Sequence, residues 1–366
     1  MEDKCYAPAG RKGRVLYFDV MRVVAVLFVI FNHTEDRGFF LFSLYPSNSI
    51  QYWVYMFVSV FCKFSVPLFF AISGALLLPK EESIKDVWQN RVLTRCIVLL
   101  VFSFGCYLIN IRNDLSQFSW YFFFGKLYQS YHNVSYWYLY AFIPYLIALP
   151  LLRPLARNMK NEHFLYMAII GISFMAVLPI SEYLLWHGEH SLNNNFRLRW
   201  ITSSAVIFPC LGYYLENRMD INKAKKYIPI LWLINIATIM VTCYITYYKA
   251  TITGVCNEES SQTFHSSFVL INVITLYVTF KCLFNKPLSH KWTSLITSIG
   301  KATFGMYLIH ITVRELVNNF HILDFLRNTM HINYMISSFI YCLIIFIIAY
   351  AITLIMKKIP LLKKLI

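Results

Sequence analysis

The chain has 366 residues, of which 58% are hydrophobic and only 14% charged, and its mean hydropathy of +0.53 excludes a soluble domain of ordinary composition. A net charge of +15 comes from 33 Lys and Arg against 18 Asp and Glu. Because these cations are spread over many loops, the charge does not indicate nucleic-acid binding. The 9 Cys lie mostly inside apolar runs, so we interpret them as small hydrophobic residues and expect neither a disulfide framework nor a metal site.

Ten apolar runs of about 20 residues are long enough to cross a bilayer as helices. Their approximate limits are 15–36, 50–79, 93–112, 135–155, 163–186, 200–217, 227–248, 264–284, 297–318 and 333–356. The first run follows the basic residues Arg11 and Lys12, but it lacks a small-residue cleavage site, so we treat it as a retained helix and not as a signal peptide. The aromatic stretch 118–133 is too short to span and is expected at the interface or as a re-entrant piece. The sequence predicts an all-α polytopic membrane protein, with residues 1–366 in a single transmembrane domain.

The distribution of Lys and Arg predicts the orientation of these spans. If the connections alternate between two sides, 24 of the 33 cations fall on the side of the N-terminus and 9 on the other. Short cytoplasmic loops accumulate Lys and Arg. We therefore expect both termini in the cytoplasm and an even number of spans.

Arg22 and His33 mark the two ends of the first apolar run. Eleven residues correspond to three helical turns plus about 20°, so both side chains project from one face, about 16 Å apart. Asp19, one turn before Arg22, is placed to pair with it. A charge in the hydrocarbon region costs at least about 2–3 kcal/mol, which favours an interior or water-filled cavity. The alternative is an Arg22 that reaches the headgroups and a His33 that is hydrogen-bonded within the bundle.

This spacing suits capture of an elongated anionic ligand from the cytoplasm. Acyl-CoA has that form, since its phosphates could meet Arg22 while the pantetheine arm carries the thioester towards His33. An imidazole is the side chain whose unperturbed pKa lies nearest neutrality, so His33 is a candidate general base for an attacking hydroxyl.

Two further segments carry polar or aromatic side chains inside the predicted spans. Lys63 lies near the middle of the second run with Pro67 one turn on, which indicates either a cavity beside a kink or a kink required only for packing. Trp137 and Tyr138 open the fourth run, where they could contact substrate or belong to an ordinary aromatic belt.

The ninth run holds His310, Arg314 and Glu315, which exceeds what packing requires. We place His310 and Arg314 in substrate binding. Glu315 and Glu182, late in the fifth run, are predicted to end at a depth comparable with His33. Either carboxylate could fix the tautomer of that imidazole, as in a catalytic triad, and the sequence does not distinguish them.

Four segments in order resemble membrane acyltransferase family 3. They are "FDVMRVVAVLFVIFNH" with its Arg-x10-His spacing, "VPLFFAISGALLL", "YWYLYAFIPYLIALPLLRPL" and "ATFGMYLIH". The resemblance implies a ten-helix enzyme that transfers an acyl group, usually acetyl, from acetyl-CoA to a hydroxyl of a surface or lipid-linked glycan. It looks closest to stand-alone bacterial polysaccharide O-acetyltransferases of the cytoplasmic membrane, without an extracellular hydrolase-like domain.

Carried over by position, the resemblance gives Arg22 and His33 the donor-binding and catalytic places. Lys63, Arg91 and Arg95 take basic positions suited to the CoA phosphates, and Trp137, Tyr138 and His310 fall in or beside the later blocks. No metal is implied. Expected partners are acyl-CoA, the glycan acceptor and membrane lipid, with a separate protein of polysaccharide synthesis or a second copy of the chain as alternatives.

A membrane transporter or exporter of a glycan or small anion is the alternative function. Buried cations and a Pro-broken helix also occur in transport pathways. Against this reading, the two halves of the chain show no paired broken helices. A purely structural scaffold is disfavoured by the cost of so many intramembrane charges.

Overall fold

The computed structural model describes residues 14–254, 264–286 and 288–366. Within these ranges the chain is 80% helical and contains no strand, which confirms the all-α membrane fold. The main helices are α1 (Leu16–Asn32), α2 (Ile50–Leu77), α3 (Ile84–Asn110), α4 (Trp120–Gln129), α5 (Val134–Asn158), α6 (Asn161–Trp186), α7 (Ile207–Asn217), α8 (Ile228–Thr253), α9 (Val269–Leu283), α10 (His290–Asn318), α11 (Tyr334–Met356) and α12 (Pro360–Leu365). The basic start at Arg11 and Lys12 lies outside the described residues.

Helices lie in all ten predicted segments, and six of them, α2, α3, α5, α6, α8 and α11, are both long and apolar enough to cross a bilayer by length and composition. The segment 200–217 is not one continuous helix, because a short turn of helix, Arg199–Thr202, stops before α7 begins. There the Ser203 hydroxyl accepts a hydrogen bond from the Ala205 amide, a local bond that competes with helix. The 11 residues of α7 extend only about 16 Å, so the count of ten spans stays a prediction.

Helices α1 and α10 pack side by side and run in the same direction. At the start of α1, a Cβ added to Gly300 would lie 2.7 Å from the carboxylate of Asp19, while at the end of α1 the ring of His33 lies beside that of His310, further along α10. The missing side chain of Gly300 thus lets the two helices approach at the level of Asp19.

Two groups of polar contacts between different helices and loops identify the two ends of the bundle. At one end Arg153 contacts Glu82, Arg218 donates to the carbonyl of Arg157, Lys281 to that of Leu215 and Lys357 to that of Lys301. At the other end Arg314 pairs with Glu35, and Arg327 and Ser338 donate to the carbonyl of Arg37. The two groups of contacts agree with the two sides of the membrane to which the sequence analysis assigned the alternating connections. The assignment of the cation-rich end to the cytoplasm stays a prediction.

The crossing of α2 and α7 depends on two glycines. A Cβ at Gly74 would overlap the backbone of Pro209, and one at Gly212 would overlap the carbonyl of Ala71. Small residues of this kind let membrane helices approach backbone to backbone.

We expect Gly212→Ala to lower the free energy of unfolding by about 1–3 kcal/mol or to prevent folding, because its methyl group meets rigid backbone. Gly105→Ala is the matched control, since nothing lies within 4 Å of a Cβ there and Ala favours helix over Gly by roughly 0.5–1 kcal/mol. Thermal unfolding in detergent would measure both variants. A Gly212→Ala protein as stable as Gly105→Ala would contradict the tight crossing.

Candidate active site

Asp19 organises the cations at the start of α1. Its fully buried carboxylate accepts two hydrogen bonds from Arg14, at 2.6 and 2.7 Å, and one from Arg22 at 2.9 Å. The predicted pair of Asp19 and Arg22 is therefore confirmed. Two guanidinium groups around one carboxylate leave a net positive charge at this end of the helix.

Arg22 also lines a space that we call the arginine cavity. It consists of two adjoining compartments of about 190 and 230 Å³. Both compartments are bordered by Arg22, Phe69, Ser73, Arg95 and Phe142. Cations and aromatic rings therefore border one shared space, a combination suited to an anionic ligand with a partly apolar body.

One compartment extends towards Asn90 and Arg91 at the start of α3, and the other ends at Tyr138 and Tyr307. The rings of these two tyrosines are 5.4 Å apart and approach edge to face. Tyr138 was predicted to bind substrate, and the structure places it in the cavity wall. Trp137, its neighbour in the chain, is instead 38% exposed and does not border the arginine cavity. This position suits a residue of an aromatic belt.

Arg95 and Arg91 differ in how far their charges are neutralised. The Arg95 guanidinium lies 4.4 Å from the ring centroid of Phe304 and donates to the carbonyl of Leu365 at 3.3 Å. Across the described ranges it makes no ion pair. Arg91 donates with two nitrogens to the Glu82 carboxylate, one of them at 2.8 Å. Arg95 is thus the cation in the cavity that can accept an anion without giving up a carboxylate.

Glu82 also binds Arg153 at 2.6 Å. Hydrogen bonds from Arg91 and Arg153 lower the pKa of Glu82 to about 2, although its partial burial opposes the change. The pKa of an unfolded glutamate is about 4.3. The ionised carboxylate therefore stabilises the fold above about pH 4.3, and this contribution is lost as the pH falls towards 2.

We expect Glu82→Gln to be less stable than the unchanged protein at pH 7, with a difference that shrinks as the pH is lowered to 3. Unfolding temperatures in detergent at both pH values would measure it. Glu81→Gln is the control, because the Glu81 side chain is 87% exposed and its oxygen lies 3.4 Å from Arg157. A deficit of Glu82→Gln that is the same at both pH values would show that ionisation is not the cause.

Lys63 was predicted to bind the donor together with Arg22, but it does not border the arginine cavity. It lies in a tight turn, Cys62–Phe64, that interrupts α2, so that Pro67 falls in the first turn of the resumed helix, where its missing N–H leaves no bond unmade. The Lys63 ammonium is 4.4 Å from the ring centroid of Phe39. Its side chain thus reaches the loop after α1, away from Arg22.

The opposite end of α1 carries a pair of imidazoles. The ring centroids of His33 and His310 are 5.2 Å apart. His310 is 1% exposed, and its Nδ1 lies 2.6 Å from the carbonyl oxygen of Tyr307. Because a carbonyl only accepts, Nδ1 carries the proton and Nε2 of the neutral ring holds a lone pair. In the described part of the chain that buried Nε2 has no hydrogen-bond partner.

Arg314 holds the end of α1 in place. Its guanidinium donates to the carbonyl of His33 and to the Glu35 carboxylate, the latter at 2.6 Å. The last carbonyls of a helix lack partners inside it, and a cation there is favourable. Arg314 therefore fixes the backbone of His33, since its hydrogen bonds within the described residues go to that carbonyl and to Glu35.

The two carboxylates predicted to hold the His33 ring have other surroundings in the structure. Glu182 accepts a hydrogen bond from the Leu192 amide at 2.6 Å and lies 3.6 Å from Arg197, in the loop that follows α6. Glu315 borders a separate cavity at the end of α10. Among the described residues neither carboxylate forms a hydrogen bond with the His33 ring, and the ring beside it is that of His310. The triad-like arrangement stays a prediction.

Tyr307 connects the two ends of the site. It borders the arginine cavity, and its ring centroid lies 5.8 Å from that of His310. The cavity itself reaches Arg22 but not His33. The helical spacing of Thr303, Tyr307 and His310 on α10 is the sequence signal that could have identified this wall.

Residues 15–354 match a family model described as an acyltransferase domain. The chain belongs to membrane acyltransferase family 3. Comparisons with curated proteins and with solved structures gave no match. The match includes both ends of α1 and the whole of α10, so the arginine cavity and the two imidazoles lie inside the family domain.

Family membership establishes that this membrane acyltransferase transfers acyl groups and that it is a multi-pass membrane protein. Acyl transfer requires a place for an activated donor and a base for the accepting group. In this family member the arginine cavity and the pair of imidazoles have the chemistry for these two tasks.

Proposed function

We propose that the protein is an acyl-CoA-dependent O-acyltransferase of the bacterial cytoplasmic membrane, which moves an acyl group, usually acetyl, to a hydroxyl of a surface or lipid-linked glycan. The main support is the arginine cavity, where Arg22 and the unpaired Arg95 stand among aromatic rings. Guanidinium groups bind phosphates in a fixed, often bidentate geometry. Apolar and aromatic walls suit the remainder of a CoA molecule.

The donor enters from the cation-rich end. Its phosphates bind Arg22 and Arg95, and its thioester end points towards Tyr138 and Tyr307. Because these rings stand edge to face in the wall of the compartment, a small acyl group such as acetyl passes them with less rearrangement than a long one.

His33 acts as the general base. It takes the proton of the acceptor hydroxyl as the hydroxyl oxygen forms a bond to the acyl carbon. The bond from that carbon to sulfur breaks, and the CoA thiolate leaves with the electron pair and is protonated by the imidazolium. In the reacting complex, we propose, the unpartnered His310 Nε2 accepts a hydrogen bond from the His33 N–H, which leaves the other His33 nitrogen free for the acceptor.

Labelled acetyl-CoA supplied to one side of sealed proteoliposomes, with a glycan extract on the other, tests the proposal. We expect an ester-linked label on the glycan and release of free CoA. Accumulation of unmodified label inside the vesicles, with no ester and no released CoA, would instead support a transporter.

A further inference from the structure

A space of about 180 Å³ lies between α6, α7 and α9, and we call it the apolar groove. Apart from the hydroxyl group of Tyr214, its lining side chains are all apolar, among them Phe164, Leu165, Ala168, Leu211 and Ile274. None of its lining residues borders the arginine cavity. The apolar groove is therefore not part of the site that we assign to acyl transfer.

The apolar groove is elongated and reaches the cation-rich end of the bundle. At that end it is bordered by Phe164, in the first turn of α6, and by Leu215, in the last turn of α7. At its other end the three helices approach closely, because a Cβ added to Gly171 would lie 2.3 Å from Ile207 and 3.3 Å from Leu270. The rise along α7 between Ile207 and Leu215 is about 12 Å.

Arg218 stands at the cation-rich end of the apolar groove. It follows α7 directly, and its guanidinium carbon lies 5.7 Å from the ring centroid of Phe164. One nitrogen donates to the carbonyl of Arg157 at 2.8 Å. Arg218 is exposed, and it forms no ion pair with any described residue. Its remaining N–H groups can therefore bind a phosphate next to the groove.

The charges around Arg218 are positive in sum. The two chain segments at this end of the groove, residues 157–163 and 216–226, contain six Lys and Arg and three carboxylates. All three carboxylates have partners among the described residues, namely Lys281 for Glu216, Lys160 for Glu162 and two backbone amides for Asp220. Glu81, which reaches this end from another loop, pairs with Arg157. The balance favours an anionic group at Arg218.

The apolar groove lies beside a helix, α6, that is long and apolar enough to cross a bilayer, and Leu165 on its rim is 64% exposed. A helix of a second chain is about 10–12 Å wide with its side chains, too wide for this space, whereas an unbranched hydrocarbon chain fits. Basic pockets between membrane helices bind the head groups of anionic lipids. We infer that the apolar groove binds one acyl chain of an anionic phospholipid whose phosphate lies on Arg218. This inference does not depend on the proposed function.

Native mass spectrometry of the delipidated protein in detergent, mixed with equal amounts of dioleoyl phosphatidylglycerol and dioleoyl phosphatidylcholine, tests the inference. We expect phosphatidylglycerol to be preferred as the first bound lipid. Arg218→Gln should lower this preference about fivefold, the effect of one cation near a lipid head group. Lys223→Gln is the control, because it removes an exposed cation nearby and should lower the preference less. Equal losses in the two variants, or no preference in the unchanged protein, would overturn the inference.

Ala168→Phe fills the apolar groove and should abolish most of the binding of the first phosphatidylglycerol. Ala351→Phe is the matched control, because Ala351 is exposed on α11, and it should bind the lipid as the unchanged protein does. Equal lipid binding by the two variants would overturn the assignment of the groove. A dimer that forms in place of the lipid complex, and that Ala168→Phe dissociates, would assign the groove to a second copy and overturn it as well. If Ala168→Phe does not fold, the comparison of Arg218→Gln with Lys223→Gln decides alone.

Discussion

Replacing His33 with Ala is expected to lower the rate of acyl transfer roughly 10²- to 10⁴-fold, the usual contribution of a general base. The binding of acyl-CoA should change little, because His33 does not border the arginine cavity. Ester-linked acetate on the glycan and donor affinity, measured on the same preparation, separate the two effects.

His190→Ala serves as the control for His33→Ala. His190 is exposed in the loop after α6, near Trp186, and its loss should leave transfer unchanged. Normal acetylation by a correctly inserted His33→Ala protein would refute the assignment of the base.

Arg95→Gln is expected to have the largest effect on the donor. A hydrogen bond to a charged group contributes about 1.5–3 kcal/mol, so the KM for acyl-CoA should rise roughly 10- to 100-fold. The value of kcat should change less, since Arg95 lies away from His33. Steady-state kinetics with acetyl-CoA would measure both constants.

Arg91→Gln provides a direct comparison at the same end of α3. Arg91 is already bound to Glu82, so its loss should reduce stability more than donor affinity. Lys85→Gln, which removes an exposed cation nearby, controls for the general loss of positive charge. A larger rise in KM for Arg91→Gln than for Arg95→Gln would contradict the importance that we give to the unpaired guanidinium.

The sequence was sufficient for features that depend on neighbours along one helix. The spacing of Asp19 and Arg22 predicted their ion pair, which the structure contains. Apolar run length located helices in all ten segments.

Features that depend on contacts between distant helices could not be predicted in this way. The nearest ring to His33 comes from α10, and no periodicity reports which helices are adjacent. Depth along a span led to Glu182 and Glu315 as partners, yet two side chains at equal depth can lie on different sides of a bundle. Arg91 and Arg95 look equivalent in sequence, and only the position of Glu82 distinguishes them.

The aromatic rings that border the arginine cavity have a consequence for the energy supply of the cell. A continuous file of water through a membrane protein would let protons leak and dissipate the gradient that drives ATP synthesis. Tyr138, Tyr307 and His310 are all buried, and the first two border the arginine cavity, so packed rings and not open space lie at this side of it. Under the proposed function, such packing would let an acyl group cross while the electrical insulation of the membrane is kept.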